Sequence, residues 1–273
     1  MPEGDTIFRT ARTLQRALAG DMVTGFMSVY PALTRVDVDR PLRGRVVESV
    51  RSRGKHLLIA FAGDLILHTH MRMHGSWHVY RPDERWQRPR RDMRIVLETA
   101  RFVTVAFNVP VAEFLTGAAL SRHPTLQALG PDLADPDFDP AQVIARIRAH
   151  GQEPMHDLLL NQRVVAGIGN VFKSEVLFEA GVDPFAPAAV VPDDVLYRVL
   201  EIARKQMAMN IAPQETNLGA ANQRHTTGSL DPNATLWVYG RGRQPCRRCD
   251  APIQSRATGL DGRLTYWCPN CQR

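Results

Sequence analysis

Residues 246–271 read CRRCDAPIQSRATGLDGRLTYWCPNC, and they hold all four cysteines of the 273-residue chain. Cys246, Cys249, Cys268 and Cys271 follow the spacing C-x2-C-x18-C-x2-C. Two such pairs present four thiolates that can close a tetrahedron around one Zn²⁺ and leave no position open for chemistry, so the site is structural. Disulfides are the alternative. The start of the chain carries Glu3 and Asp5 and lacks the basic run of a secretory signal, which points to the cytosol, where thiols stay reduced. Between the pairs, PIQSRAT and RLTYW have strand character and flank GLDG, whose Asp261-Gly262 is a hairpin signal. The spacing therefore predicts a zinc-stapled β-hairpin with Arg263 just past its tip.

The charge is concentrated on this same stretch. Residues 241–273 carry seven Arg against Asp250 and Asp261, a net +5 out of +6 for the whole chain. A localised basic patch fits a polyanion, because each neutralised phosphate releases counterions. A composition of 44% hydrophobic and 23% charged residues excludes a disordered or fibrous chain. No run of about 18 apolar residues is present, so no membrane partner is expected.

Moving outward, NQRVVAGIGNVFKSEVLFEAG (161–181) predicts a helix ending near Gln162, a turn carrying Gly167 and Gly169, and a second helix capped by Asn170 and running to about Glu179. Glycines let backbone approach a ligand, and the N–H groups of a helix start favour phosphate. Asp139-Pro140 makes an N-cap and first-turn pair for a helix to about Ala149, and PDDVLYRVLEIARKQM (192–207) is amphipathic. Before these, the acidic, proline-rich GPDLADPDFDP (130–140) reads as a break. The expected organisation is a domain over 1–132, a linker over 133–140, a helical domain over 141–240 and the zinc finger over 241–273.

From about Val46 to Phe107 the pattern changes to short β-rich runs: VVESVR, HLLIAFA, LILHTHM, SWHVY, MRIVLET and FVTVAF. No helical segment separates them, so an antiparallel sandwich is expected, with Gly63-Asp64 as one hairpin turn and RPDERWQRPRRD (81–92) as a surface loop. At the N-terminus, DTIFRTARTLQRALAG places Ile7, Ala11, Leu14 and Leu18 on one helical face, with Asp5 as the expected N-cap and Gly20 as the stop. Pro2 precedes this helix. Once Met1 is removed, its nitrogen is a secondary amine able to act as a nucleophile.

Four motifs occur in order from end to end: PEGDT at the start, GKHLL at 54–58, AGIGNVFKSE at 166–175 and the terminal C-x2-C with GRLTYWCPNCQ. Together they resemble the formamidopyrimidine-DNA glycosylase/endonuclease VIII family of base-excision repair. The resemblance implies an α+β, multidomain architecture: an N-terminal β-sandwich with flanking helices, a helix–two-turn–helix domain and a zinc-finger hairpin. It implies damaged DNA as partner, a monomer, one structural zinc ion and no catalytic metal. By motif, Pro2 would be the catalytic amine that forms a Schiff base at C1′, Glu3 the acid/base, and Lys55, Asn170 and Arg263 the residues holding phosphates beside the Gly167–Gly169 turn. Met73, aided by Arg72 and His74, would be the wedge that fills the gap left by the flipped base, with core packing as the other reading for Met73.

The PEGDT opening resembles the endonuclease VIII branch, which prefers oxidised pyrimidines. Where the other branch carries an Arg-Arg-Phe motif, this chain has AFNVPVAEFL, without either arginine. A loop over 213–233 would lie over the flipped base. The alternative is a damage-binding protein of the same fold without chemistry.

Overall fold

The computed structural model describes residues 2–212, 224–259 and 262–273. The chain forms two compact units, Met1–Ala128 and Leu129–Arg273.

In the first unit, helix α1 (Gly4–Leu18) buries Ile7, Ala11, Leu14 and Leu18, the face its periodicity predicts, and the chain turns away at Gly20 with φ +84°. The helix starts earlier than the Asp5 cap would have it. The Ile7 N–H already bonds the Glu3 carbonyl at 3.0 Å, so Glu3 is the N-cap residue. Asp5 lies in the first turn, buried, 3.5 Å from the Arg9 guanidinium. Strand β1 (Val23–Ser28) and helix α2 (Pro31–Asp39) follow. Then come β2 (Val47–Arg53), β3 (His56–Phe61), β4 (Leu65–His70), β5 (Ser76–Tyr80), β6 (Met93–Thr99), β7 (Val103–Phe107) and β8 (Val111–Leu115). Two one-turn helices, α3 (Gly117–Leu120) and α4 (Pro124–Gln127), close the unit.

The strands pair antiparallel in two four-stranded sheets, ordered β1-β6-β7-β5 and β2-β3-β4-β8. One core joins them: Val23, Trp77, Ile95, Leu97 and Ala106 from the first sheet, Val47, Leu57, Ile59, Phe61 and Leu67 from the second, and the apolar face of α1. That is the expected sandwich. Elements β1, α2 and β8 lie outside the six runs expected as strands, because each places at most one residue in the core and so shows no apolar period. The arginine-rich loop 81–92 lies over the other face of the first sheet, where Trp86 packs against Tyr80 (6.4 Å between rings) and Phe107 (5.8 Å).

In the second unit, α5 (Pro140–Ala149) is capped by Asp139, whose carboxylate accepts from the Ala141 N–H at 2.9 Å. Helices α6 (Met155–Leu160), α7 (Asn170–Ala180) and α8 (Asp193–Ile211) follow and bury Ile147, Leu158, Leu159, Phe172, Val176, Leu196 and Leu200 together. Residues 133–140, read as a linker, lie inside this unit instead. Leu133 and Phe138 enter its core, and Asp132 and Asp135 accept from the N–H groups two residues on, each at 3.0 Å. The acidic composition there supplies the acceptors of tight turns. The unit ends in the antiparallel hairpin β9 (Gln254–Thr258) and β10 (Arg263–Trp267).

Candidate active site and zinc centre

The residues singled out in the sequence fall on both units, and each set is built by its own fold. In the first, α1 begins directly after Pro2 and Glu3. Pro2 is half-buried and Glu3 is buried, and the Glu3 side chain makes no cap hydrogen bond to the helix. Lys55 sits with Gly54 in the two-residue turn between β2 and β3, where Gly54 takes φ +57° and Arg53 pairs with His56. Glycine takes a positive φ at the least cost, which fits Gly54 before Lys55 in this turn.

Met73, Arg72 and His74 form the exposed turn between β4 and β5. Met73 is 51% exposed while Met71, two residues earlier, is 2% exposed and enters the core. Core packing is therefore the role of Met71. The turn is tight: Gly75 N–H bonds the Met71 carbonyl at 2.9 Å, and a Cβ on Gly75 would meet that carbonyl oxygen at 2.5 Å.

The sequence reading missed His70. It ends β4, opposite His56, and its Nδ1 accepts from the Arg72 N–H at 3.0 Å, which places its own proton on Nε2. Burial, then the positive charges of Arg72 and Lys55, lower its pKa to about 4, so it is a neutral donor beside Lys55. The available signal was HTH at 68–70, two imidazoles one strand period apart on the same face.

In the second unit, Gln162 braces the turn ahead of α7. Its Nε2 donates to the Leu160 and Ile168 carbonyls, both at 2.9 Å, and its Oε1 accepts from the Gly167 N–H at 3.1 Å. Gly167 takes φ +105°, a backbone that side-chain-bearing residues avoid. The cap of α7 differs from expectation: Gly169 is the N-cap, and Asn170 is the first helical residue. Buried Asn170 turns its Nδ2 to the Leu264 carbonyl at 3.0 Å, next to Arg263. Arg263 opens β10 opposite Thr258, at the tip end of the hairpin. Two further bonds fix the hairpin on α7: Lys173 Nζ donates to Thr265 Oγ1 at 2.7 Å, and the Tyr266 N–H donates to Ser174 Oγ at 3.4 Å. Asp261 of the expected turn and residues 213–223 of the expected base-covering loop lie outside the described residues.

The four cysteines converge. Their sulfurs all lie within 4.8 Å of one another, with Cys246–Cys271 at 3.9 Å and Cys249 at 3.5 Å from both Cys268 and Cys271. A disulfide needs about 2.05 Å. Four sulfurs at about 2.3 Å from one Zn²⁺ stand about 3.8 Å apart, so the spacing fits the ion and excludes the pairing alternative. The Arg248 N–H approaches Cys246 Sγ at 3.4 Å, a donor of the kind that stabilises thiolate.

Family models match the chain in three places: the formamidopyrimidine-DNA glycosylase N-terminal domain over residues 1–110, its H2TH domain over 129–220, and the zinc finger found in FPG and IleRS over 243–273. A probable endonuclease 8 2 of Streptomyces coelicolor is 40% identical, covering 100% of this chain and 94% of that protein. The DNA-(apurinic or apyrimidinic site) lyase Nei2 of Mycolicibacterium smegmatis is 39% identical over 100% of this chain and 99% of its own. Endonuclease 8 of Escherichia coli is 33% identical over all of both chains. Among solved structures, Lactococcus lactis Fpg in complex with abasic-site DNA shares the fold with a TM-score of 0.81 at 22% identity over the full length of both. Two domains, a four-cysteine finger and end-to-end relatives agree: the chain belongs to the formamidopyrimidine-DNA glycosylase/endonuclease VIII family.

Proposed function

We infer that the chain is a bifunctional DNA glycosylase and abasic-site lyase of base excision repair in which Pro2 is the nucleophile. The observation that carries the reading is the start of α1. Pro2 stands at the head of a rigid helix, followed directly by the buried carboxyl group of Glu3. An α-amine titrates near 8 and a lysine near 10.4, so at neutral pH a far larger share of the Pro2 nitrogen is unprotonated.

With Met1 removed, the Pro2 nitrogen attacks C1′ of the damaged nucleotide and the base departs. Glu3 takes the proton that the Pro2 nitrogen sheds on attack and passes it to the ring oxygen as the sugar opens, giving an iminium between Pro2 and C1′. The iminium draws electrons, so a C2′ proton is lost and the 3′ C–O bond breaks. A second elimination breaks the 5′ bond. Lys55 and His70 on one unit, and Arg263 with the Gly167–Asn170 turn on the other, carry the cations and N–H donors that hold phosphates. Zinc fixes the finger hairpin and takes no part in the chemistry. Met73, exposed on a tight turn, suits an apolar wedge.

Oxidised pyrimidines are the favoured lesions, on the PEGDT opening and on the absence of arginines from AFNVPVAEFL. The protein acts as a cytosolic monomer. Among the described residues no helix is long and apolar enough to cross a membrane. The test is borohydride trapping on duplexes carrying thymine glycol, dihydrouracil, 8-oxoguanine or an abasic site. A covalent band that Pro2→Gly abolishes, and that Glu3→Gln abolishes on damaged bases while sparing the abasic site, is expected. No band on any duplex, with binding intact, would leave a damage-binding protein without chemistry.

A further inference from the structure

A polar network in the first unit, buried at His56 and His68 and partly exposed at Glu113 and His123, has no part in the chemistry above. The antiparallel register sets His56 of β3 opposite His70 of β4, and His68 of β4 opposite Glu113 of β8. His56 Nδ1 lies 2.8 Å from His68 Nε2, His68 Nδ1 lies 2.9 Å from Glu113 Oε1, and the same oxygen lies 3.0 Å from His123 Nε2.

The proton positions follow from the partners. The Leu126 N–H donates to His123 Nδ1 at 3.3 Å, so the His123 proton is on Nε2 and donates to Glu113. A carboxylate only accepts, so His68 carries its proton on Nδ1 and offers a lone pair at Nε2. That lone pair takes the Nδ1 proton of His56. Every ring is neutral and every bond has one donor and one acceptor. Burial, first of all, lowers the pKa of His56 to about 3 and that of His68 below its ordinary value. Burial opposes ionisation of Glu113, but its two imidazole donors outweigh this and its pKa falls.

His68, Glu113 and His123 also have the composition of a metal site. A metal would need the lone pair of His123 Nε2, which moves the proton to Nδ1, where the Leu126 N–H already donates. The hydrogen-bonded assignment is therefore preferred.

The chain of bonds ends on His56, whose backbone closes the turn that carries Lys55. Its ring lies edge-on to His70, 4.7 Å between centroids. We propose that Glu113 and His68 are positioning residues for Lys55: anchored at β8, they hold the His56 ring and with it the geometry of the Lys55–His70 pair. This rests on Lys55 serving strand cleavage.

The test is a double-mutant cycle on single-turnover cleavage of abasic-site DNA at saturating protein. Glu113→Leu removes the shared acceptor and is expected to slow cleavage about tenfold, whereas Glu113→Gln keeps an acceptor oxygen and stays within about twofold of wild type. In a Lys55→Ala background, Glu113→Leu is expected to add less than about twofold. If Lys55→Ala is itself slow and Glu113→Leu still costs tenfold on top of it, the positioning role is wrong. If Lys55→Ala cleaves like wild type, the reading of Lys55 fails first. Imidazole nitrogen NMR on the zinc-loaded protein gives a readout independent of activity. Nδ1-protonated His68 with Nε2-protonated His123 supports the network. Nδ1-protonated His123, or a second zinc equivalent lost in Glu113→Gln, overturns it in favour of a metal site.

Discussion

In the first unit the buried histidines His56 and His68 are held neutral in a chain of hydrogen bonds. In the second, a carboxylate and an ammonium are buried completely. Glu175 of α7 accepts from the N–H groups of Trp237, Val238 and Tyr239 at 2.7, 2.8 and 2.7 Å and from the Thr226 hydroxyl. Lys173, two residues before it, donates to Thr265, which in turn meets Thr258 Oγ1 at 2.7 Å. Burial pushes the Glu175 carboxyl up and outweighs the four donors that push it down. Removing Glu113 costs the first network two imidazole bonds to a partly exposed carboxylate, whereas removing Glu175 leaves four donors uncompensated in the interior. The first arrangement thus responds to pH and the second to substitution. Both polar residues of the second unit hold the segments that frame the finger.

Zinc removal is the strongest way to separate the units. The finger itself buries only Cys246, Ile253 and Cys268, packed against Phe178 of α7 and Val238, so the metal carries much of its folding. Structural zinc binding contributes on the order of 10 kcal/mol in isolated fingers. Chelation, or Cys268→Ser, is expected to abolish DNA cleavage and to unfold residues 241–273, while hydrogen exchange in β3, β4 and β8 stays slow. Fast exchange in both units would show that they do not fold independently.

Glu175→Ala comes next. It orphans three backbone N–H groups and a hydroxyl, and a loss of about 3–5 kcal/mol is expected in the second unit's denaturation. Glu175→Gln should also destabilise, because its amide NH₂ would face a backbone N–H. A cost under about 1 kcal/mol for Glu175→Ala would mean that the two units tolerate loss of a buried polar group alike.

Acid is expected to act on the first unit. His56 and His70 have folded pKa values of about 3 and about 4, below the usual 6.5, so the unfolded chain binds protons first. Their contribution is intact above pH 6.5 and is lost as pH falls toward those values, by up to about 1.4 kcal/mol per pH unit for each ring. The urea midpoint of the first unit should therefore drop between pH 7 and pH 5, and His56→Gln should flatten the slope. An unchanged midpoint would mean that these rings are not held neutral by the fold.

The smallest expected effect is that of Met73→Ala. With half its surface in water, the side chain should contribute less than about 0.5 kcal/mol to stability. Excision of a paired lesion should nevertheless slow, while cleavage of a preformed abasic site in single-stranded DNA should not. Equal loss on both substrates would remove Met73 from the role of wedge.

Much of this was legible in the sequence for reasons that particular residues make plain. The C-x2-C pairs, the Asp139-Pro140 helix start and the Ile7-Ala11-Leu14-Leu18 stripe are local patterns with one physical meaning each. The linker was misplaced because its aspartates cap turns inside a core rather than bridging two. Strands β1 and β8 were not legible because β1 buries only Val23 and every residue of β8 is partly exposed, which leaves no alternation of apolar and polar positions to read. The cap of α7 was misassigned because Asn170, a good cap by type, is taken instead by the Leu264 carbonyl of the finger.

The four cysteines of the zinc centre, the place of Pro2 ahead of α1 and the order of the domains are readable along the chain, because ligand chemistry, side-chain type and motif spacing belong to the residues themselves. It takes the folded chain to bring His56, His68, Glu113 and His123 into one network, to put Met71 rather than Met73 in the core, and to make Asn170 and Lys173 grip the finger. Those outcomes depend on strand register and on what packs opposite each side chain, and both arise only when segments distant in the chain are brought together.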